Sequence, residues 1–453
     1  MHKFSFFVLI FSFLCFIYSF VNFEGSSYSL IYLLPLALFI LSSVFINIYN
    51  DYRDSWVFKI FIVQALIRYP LMSLIYCLSV DDASRYHLYS NASIVVMLVE
   101  LISCFGVLAF FSKRQRNAFN NKSKKINVNK NYFIIITMLL VMFVCIFLSG
   151  ALNEINLVFS LQDYVDKHVN DELQSKTTIG SILFTSFKSL LALSIVGYIY
   201  SINISKNVKS LLYFSTIVFA SSFIVGLSRF SLVQFTLPLL ILITYLISDK
   251  ESKKLVNISL LVIFVAILIS SLGKYSRYGN EATLEVIFNK YMINAYFAGP
   301  DNIANGLSLF ESKYNLNYMY YLLNDTFQNI PLLSKMTLDE FKLNLDYNEH
   351  LYGHRYFADQ IVPLSTSGLF HFGYIGVTFY SCLFLSIALF FERKSYYSFD
   401  LFYKYIYISL SISFTYIFMK NMSSFYSSLT AVFLFLFLPL FLVNLLKSVK
   451  VKI

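Results

Sequence analysis

The chain has 453 residues, of which 58% are hydrophobic and 13% charged, with a mean hydropathy of +0.66 and a formal net charge of +10. Those values lie outside the range of water-soluble globular proteins and predict an all-α polytopic membrane protein. The positive excess falls mostly in short loops between apolar runs, where it suits a cytoplasmic face and anionic headgroups, and it gives no reason to invoke nucleic acid.

A spanning helix needs about 20 mostly apolar residues. The sequence offers about twelve such runs, near 4–22, 28–49, 56–80, 92–111, 132–150, 179–201, 210–227, 230–248, 255–272, 371–391, 403–420 and 425–446. The first lacks a small-residue cleavage site and a second follows closely, so it reads as a retained helix rather than a cleaved signal. The linker holding Lys113, Arg114, Arg116, Lys122, Lys124, Lys125 and Lys130 contains no acid and is expected in the cytoplasm.

Alternation from that linker puts Lys206 and Lys209, Lys250, Lys253 and Lys254, Arg393 and Lys394, and Lys447, Lys450 and Lys452 on the same side. The opposite short loops carry Glu24, then Asp81, Asp82 and Arg85, then Glu154, Asp163, Asp166, Asp171 and Glu172. Both termini are therefore expected inside. The chain divides into helices one to nine over 1–272, a large helical extracytoplasmic loop over 273–370, and the last three helices with a cytoplasmic tail over 371–453. Cys15, Cys77, Cys104, Cys145 and Cys382 all fall within predicted spans, so neither a disulfide framework nor a metal-type cysteine cluster is expected. No internal repeat is visible.

Some charges sit where they are expensive. Arg68 lies near the middle of the third span, where an arginine costs on the order of 3 kcal/mol. It needs a partner or a wet cavity, and Glu100 in the fourth span is one available partner. Lys188 in the sixth span is a second buried-looking cation, unless it snorkels to the outer surface. Gly226-Leu227-Ser228-Arg229 joins two spans with almost no loop, so Arg229 sits at the mouth of a tight hairpin, where its planar fork can take a phosphate or anchor to headgroups. The hairpin Lys420-Asn421-Met422-Ser423-Ser424 puts Lys420 at the same level, with the same two readings.

The large loop is rich in aromatic and branched residues. Leu284, Ile287, Phe288, Tyr291, Met292 and Ala295 recur at helical spacing, and a second stretch from Asn317 ends at the breaker Pro331. Such helices are expected to lie on the outer leaflet or cap the bundle; a cap that only stabilises the bundle is the alternative. The loop's polar candidates are Lys274, Arg277, His350, His354, Arg355 and Asp359. A helical turn would group the last four. Two histidines at i and i+4 can bind zinc, but Gly353 weakens a helix there and no third ligand is obvious. Proton abstraction, donor orientation and a solvated polar face remain open.

No P-loop, kinase or dinucleotide pattern occurs, and no outward Asp-x-Asp is present to hold a metal on a nucleotide sugar. A reaction outside the cytoplasm must bring its own activation, and a lipid-linked diphosphate does so because it leaves readily once cations neutralise it. The 35 tyrosines and 49 phenylalanines can stack on sugar rings, although membrane proteins also use aromatics for packing and interface belts.

Three segments carry a resemblance. Gly226-Leu227-Ser228-Arg229-Phe230-Ser231-Leu232, Tyr296-Phe297-Ala298-Gly299-Pro300 and Pro363 through Gly376, with Gly373-Tyr374-Ile375-Gly376, resemble the Ser-Arg hairpin, the aromatic-Gly-Pro segment and the membrane re-entry of the O-antigen polymerase (oligosaccharide repeat-unit polymerase) family, which shares its architecture with O-antigen ligases. The likeness in layout extends over most of the chain. It implies a glycosyltransferase of the bacterial inner membrane, with its large loop in the periplasm. This enzyme would transfer a growing glycan from a polyprenyl-diphosphate carrier to the non-reducing end of an incoming carrier-linked unit, serving O-antigen or capsule synthesis.

The resemblance implies diphosphate binding by Arg229, Arg277 and Arg355, with Arg68 in addition; Lys274 and Lys420 are further cations for that role. His354 is the first candidate for the base that frees the acceptor hydroxyl, followed by Asp359 and His350. No metal or cofactor is expected; a chain-length regulator is an expected membrane partner. Ligases carry a His-containing segment about eleven residues before the closing Gly-x-x-Gly, where this sequence has Val362-Pro363, and His354 lies too far upstream. That departure favours polymerase over ligase. A flippase of lipid-linked oligosaccharide also fits about twelve spans and buried cations, but such transporters are usually built from repeats. Glycosyltransferases using polyprenyl-monophosphate sugars carry catalytic acids in a substantial first outer loop, whereas here that loop holds only Glu24.

Overall fold

The computed structural model describes residues 3–23, 28–78, 87–120, 126–128, 132–149, 155–157, 178–225, 230–247, 258–259, 290–313, 318–328, 330, 333–353, 361–437 and 441. Among these residues the chain is helical, apart from one antiparallel pair of three-residue strands, β1 (Ile155–Leu157) and β2 (Phe223–Val225), and a single bridge between Asn127 and Asp400. Five helical stretches are long and apolar enough to cross a membrane: Lys3–Asn22, Trp56–Leu78, Ser90–Asn120, Leu183–Ser201 and Leu364–Tyr397.

The other predicted spans come out shorter or fall outside the described residues. The run at 28–49 is broken at Phe45 into α2 (Leu33–Val44) and α3 (Ile46–Asp51), after α1 (Lys3–Asn22). The run at 56–80 is α4 (Trp56–Leu66), a π-helical turn at Ile67–Leu71 containing Pro70, and α5 (Met72–Leu78). Next come α6 (Ser90–Asn120), α7 (Tyr132–Leu148), α8 (Thr178–Ser201), α9 (Lys206–Ser222) and α10 (Phe230–Thr244). Most of 255–272 lies outside the described residues. The apolar stretch at the end of the loop starts at Leu364, earlier than predicted. It is α15 (Leu364–Phe372), a tight turn at Gly373 and α16 (Phe379–Tyr397). A hydropathy window sees the whole stretch as apolar, whereas the break needs a left-handed residue, which Gly373 supplies at φ 67°. The last helices are α17 (Leu401–Thr415) and α18 (Met422–Val432).

In the segment expected to be a helical loop, the described residues form four short α-helices: α11 (Lys290–Phe297), α12 (Pro300–Ser312), α13 (Tyr318–Phe327) and α14 (Leu343–Tyr352). Ala298 at φ 46° separates α11 from α12, and Pro300 starts α12 where its missing N–H costs nothing. Gly353, left-handed at φ 75°, ends α14.

Two compact units follow from the packing: residues Met1–Asn120, Phe288–Arg393 and Ser413–Ser427, and residues Asn121–Ile287, Lys394–Ile412 and Ser428–Ile453. In the first unit, polar contacts gather at two levels. At one, Glu392 accepts from Ser55 Oγ at 2.7 Å, from the Val57 amide at 3.3 Å and from Gln115, and Arg116 reaches Asp51 at 3.5 Å. The Ser55 side chain also caps α4 by accepting from the Phe58 amide. At the other, Asp301 accepts from the Tyr28 and Tyr76 hydroxyls, and Tyr89 donates to Glu311 at 2.5 Å.

Leu309, Tyr321, Leu343, Tyr347, Leu369 and Phe370 form the core that fixes α12–α15 together, each large side chain contributing about 1.5–3 kcal/mol on burial. In the second unit, Asp400 accepts from the amides of Phe402 and Tyr403 and caps α17. The fully buried Lys404 donates to the Ser395 carbonyl at 2.6 Å.

Candidate functional site

α14 places Asp346 and His350 one turn apart, hence on one face. The helix starts in an extended residue, Lys342, and turns its apolar residues Leu343 and Tyr347 into the core. That rotation carries Asp346 toward α13 and His350 toward α12. The Asp346 carboxylate accepts from Tyr321 Oη at 2.6 Å and meets Lys313 Nζ at 2.6 Å. Lys313 also reaches the Tyr321 hydroxyl at 3.3 Å. His350 Nε2 lies 3.0 Å from Ser308 Oγ on α12. Partial burial, followed by the charge of Lys313, holds the His350 imidazole below the usual histidine range. It is therefore neutral at neutral pH and able to accept a proton, with the lysine ammonium at the more exposed edge of the cluster.

A second polar cluster lies on the other side of the Tyr321 and Phe370 rings, whose centres are 5.4 Å apart. Asp325, one turn beyond Tyr321 on α13, stands 3.2 Å from His371 Nε2, and His371 Nδ1 is 2.8 Å from the Tyr380 hydroxyl. Gln328 donates to the other Asp325 oxygen at 3.0 Å. The buried His371 is hydrogen-bonded through Nδ1 only, while its Nε2 stands beside the Asp325 carboxylate without a hydrogen bond.

The buried Arg68 pairs with Glu100 at 2.8 Å, and Glu100 also accepts from Ser381 Oγ. The guanidinium lies 4.3 Å from the Phe418 ring centre, while its Nε has no hydrogen-bond partner. Arg68 projects from the π-helical turn, an element frequent at functional positions. Lys420 is buried beside the Phe425 ring at 5.3 Å. In the second unit Lys188 is buried and meets no described carboxylate. It donates to the Phe223 carbonyl at 3.0 Å and lies 4.2 Å from the Phe235 ring centre.

Of the residues proposed for the site, His350, Arg68 and Lys420 are described, and each has its own neighbour: Ser308, Glu100 and the Phe425 ring. Arg229, Lys274, Arg277, His354, Arg355 and Asp359 lie outside the described residues. The helical turn expected to group His350 with His354, Arg355 and Asp359 stops at Tyr352, because Gly353 takes the left-handed conformation that ends helices. Lys313, Tyr321 and Asp346 were not picked from the sequence. The Asp346/His350 spacing was a visible signal for part of the cluster. His371 was missed because it reads as the first residue of an apolar span. Among the described residues no three His, Cys, Asp or Glu side chains group as metal ligands. Comparison of the chain with models of known protein families, with curated proteins and with solved structures finds no match.

Proposed function

We propose that this chain is a glycan polymerase of the bacterial inner membrane. It transfers a growing oligosaccharide from a polyprenyl-diphosphate carrier to the non-reducing end of an incoming carrier-linked repeat unit. The observation that carries this reading is the placement of the acid–base cluster. Asp346 and a neutral His350 sit on a helix too short to span, Lys313 follows the end of α12, and α12, which holds Ser308, packs along the apolar helix α6. A proton acceptor built directly onto membrane helices suits a substrate whose sugar is soluble and whose carrier is lipid.

In the proposed topology about twelve spans cross the membrane with both termini inside and the 273–370 segment in the periplasm. The two polar levels of the first unit support this alternation. Residues 51–55, 115–116 and 392, all assigned to the inner face, meet one another, and Tyr28, Tyr76 and Tyr89, assigned to the outer side, meet α12.

In the proposed reaction Arg229, Arg277 and Arg355, with Lys274, neutralise the donor diphosphate. A base takes the acceptor hydroxyl's proton as its oxygen attacks the anomeric carbon, and the carrier diphosphate departs. His350 is the base candidate whose surroundings are described; His354 and Asp359 are the others. Arg68, bound to Glu100, would reach a diphosphate only by exchanging that partner.

The test is reconstitution of the purified protein in lipid with polyprenyl-diphosphate repeat units and a chelator, products being resolved by size. A ladder growing by whole repeat units is expected. Unchanged substrate that crosses the bilayer would instead make the protein a transporter.

A further inference from the structure

α13 is inside out. Its buried residues are Tyr321, Asn324 and Asp325, while Tyr318, Met319, Tyr320 and Leu323 are exposed, Met319 at 65%. A helix against water shows the reverse pattern, with the apolar stripe inside and the amide and carboxylate out. Here the inward polar groups are fully occupied by protein. Asn324 exchanges two hydrogen bonds with the backbone of Leu338, at 2.9 and 3.1 Å, Asp325 meets His371 and Gln328, and Tyr321 donates to Asp346. No hydrophilic side remains to face solvent.

The exposed face continues into a second apolar patch. The rings of Tyr318 and Tyr374 both pack on Phe310, with centres 6.5 and 5.8 Å away. The next residue, Ile375, is 90% exposed and lies four residues before α16 begins. Leu88, 91% exposed, lies two residues before α6, and its neighbour Tyr89 is tied to Glu311 on α12. The patch thus lies where two membrane-crossing helices start. Aromatic and aliphatic side chains there match the boundary between headgroups and acyl chains.

We propose that α13 is embedded in the bilayer interface, its Met319/Leu323 face and the Tyr374–Ile375 turn seated among lipid acyl chains. With ten residues, about 15 Å long, α13 is too short to cross and lies along the membrane as an in-plane helix. The same helix then has lipid on one face and the Asp325 and Tyr321 hydrogen bonds on the other. This inference holds whatever reaction the protein performs.

The chain has a single tryptophan, Trp56, which allows a direct test. Met319→Trp and, separately, Leu323→Trp are made in a Trp56→Phe background, and the full-length protein is reconstituted in phosphatidylcholine vesicles. Glu340→Trp, at an exposed acidic position, serves as the aqueous reference. The expected result is blue-shifted emission from both α13 variants, most of it lost in brominated phosphatidylcholine and little of it lost to iodide, with the opposite pattern for Glu340→Trp. Emission from position 319 that iodide quenches and brominated lipid does not would overturn the proposal. Emission that neither quencher reaches would also overturn it, because a protein partner would then cover the face. The two α13 sites are exposed, so a larger side chain there leaves the core intact, and agreement between them guards against a local artefact.

Discussion

Lys313 Nζ stands 2.6 Å from Oδ2 of Asp346, yet the two differ in exposure: the carboxylate is buried and the lysine side chain 37% exposed. The pair thus holds a positive charge at the rim of a buried acid, next to His350. Removing that charge by Lys313→Met lets the His350 pKa climb toward its usual 6.5. A reaction that needs the neutral imidazole then fails at a higher pH, so the acid limb of the rate profile moves up. The readout is chain elongation against pH in lipid. A limb that stays in place would remove His350 from the role of base.

The sign for stability follows from the same shift. Because His350 is held below its unfolded pKa, the unfolded chain takes up a proton first as pH falls through 6.5. The contribution of His350 is complete above that value and declines below it. His350→Gln should flatten this part of the dependence of the unfolding midpoint on pH, measured in detergent.

Glu100→Gln leaves the Arg68 guanidinium buried without its counter-charge. Loss of one partner of such a pair costs about 3–5 kcal/mol, whereas replacing both by apolar residues of similar volume is close to neutral. Thermal unfolding should therefore show a large drop for Glu100→Gln and substantial recovery for Arg68→Met with Glu100→Leu. If the double variant folds but no longer elongates glycans, Arg68 also has a role in the reaction.

Gly368 and Gly376 let α15 press against the turn that leads into α16. A Cβ added at Gly376 would lie 1.9 Å from the Gly368 carbonyl oxygen, a backbone atom that cannot swing away. Gly376→Ala is expected to destabilise by about 3 kcal/mol or more and to lower the yield of folded protein in size-exclusion chromatography. Gly106→Ala, where nothing lies within 4 Å of the new methyl, is the tolerated control.

Arg355→Ala tests the proposed diphosphate role. It should abolish chain growth while the protein still purifies as a folded species, and Arg355→Lys should recover little because a point charge does not reproduce the planar fork. Normal chain lengths from Arg355→Ala would sink the assignment.

Membrane character was legible in the amino acids, since it depends only on summed transfer free energies along contiguous runs. So was the Arg68–Glu100 pairing: a cation in mid-span demands a partner, and few acids lie in neighbouring apolar runs. The end of α14 was half visible, because Gly353 signals a stop without saying whether the chain obeys it. Three things depended on folding. The Lys313–Asp346–Tyr321 contact joins α13, α14 and the residue that caps α12, whose meeting is set by how Leu343, Tyr347 and Phe370 pack, and no local spacing encodes that. His371 looked like membrane filler until Asp325 and Tyr380 were seen on either side of it. For α13 the sequence left both the outer leaflet and a bundle cap open, because spacing reveals that a helix has two faces but not which one the protein covers.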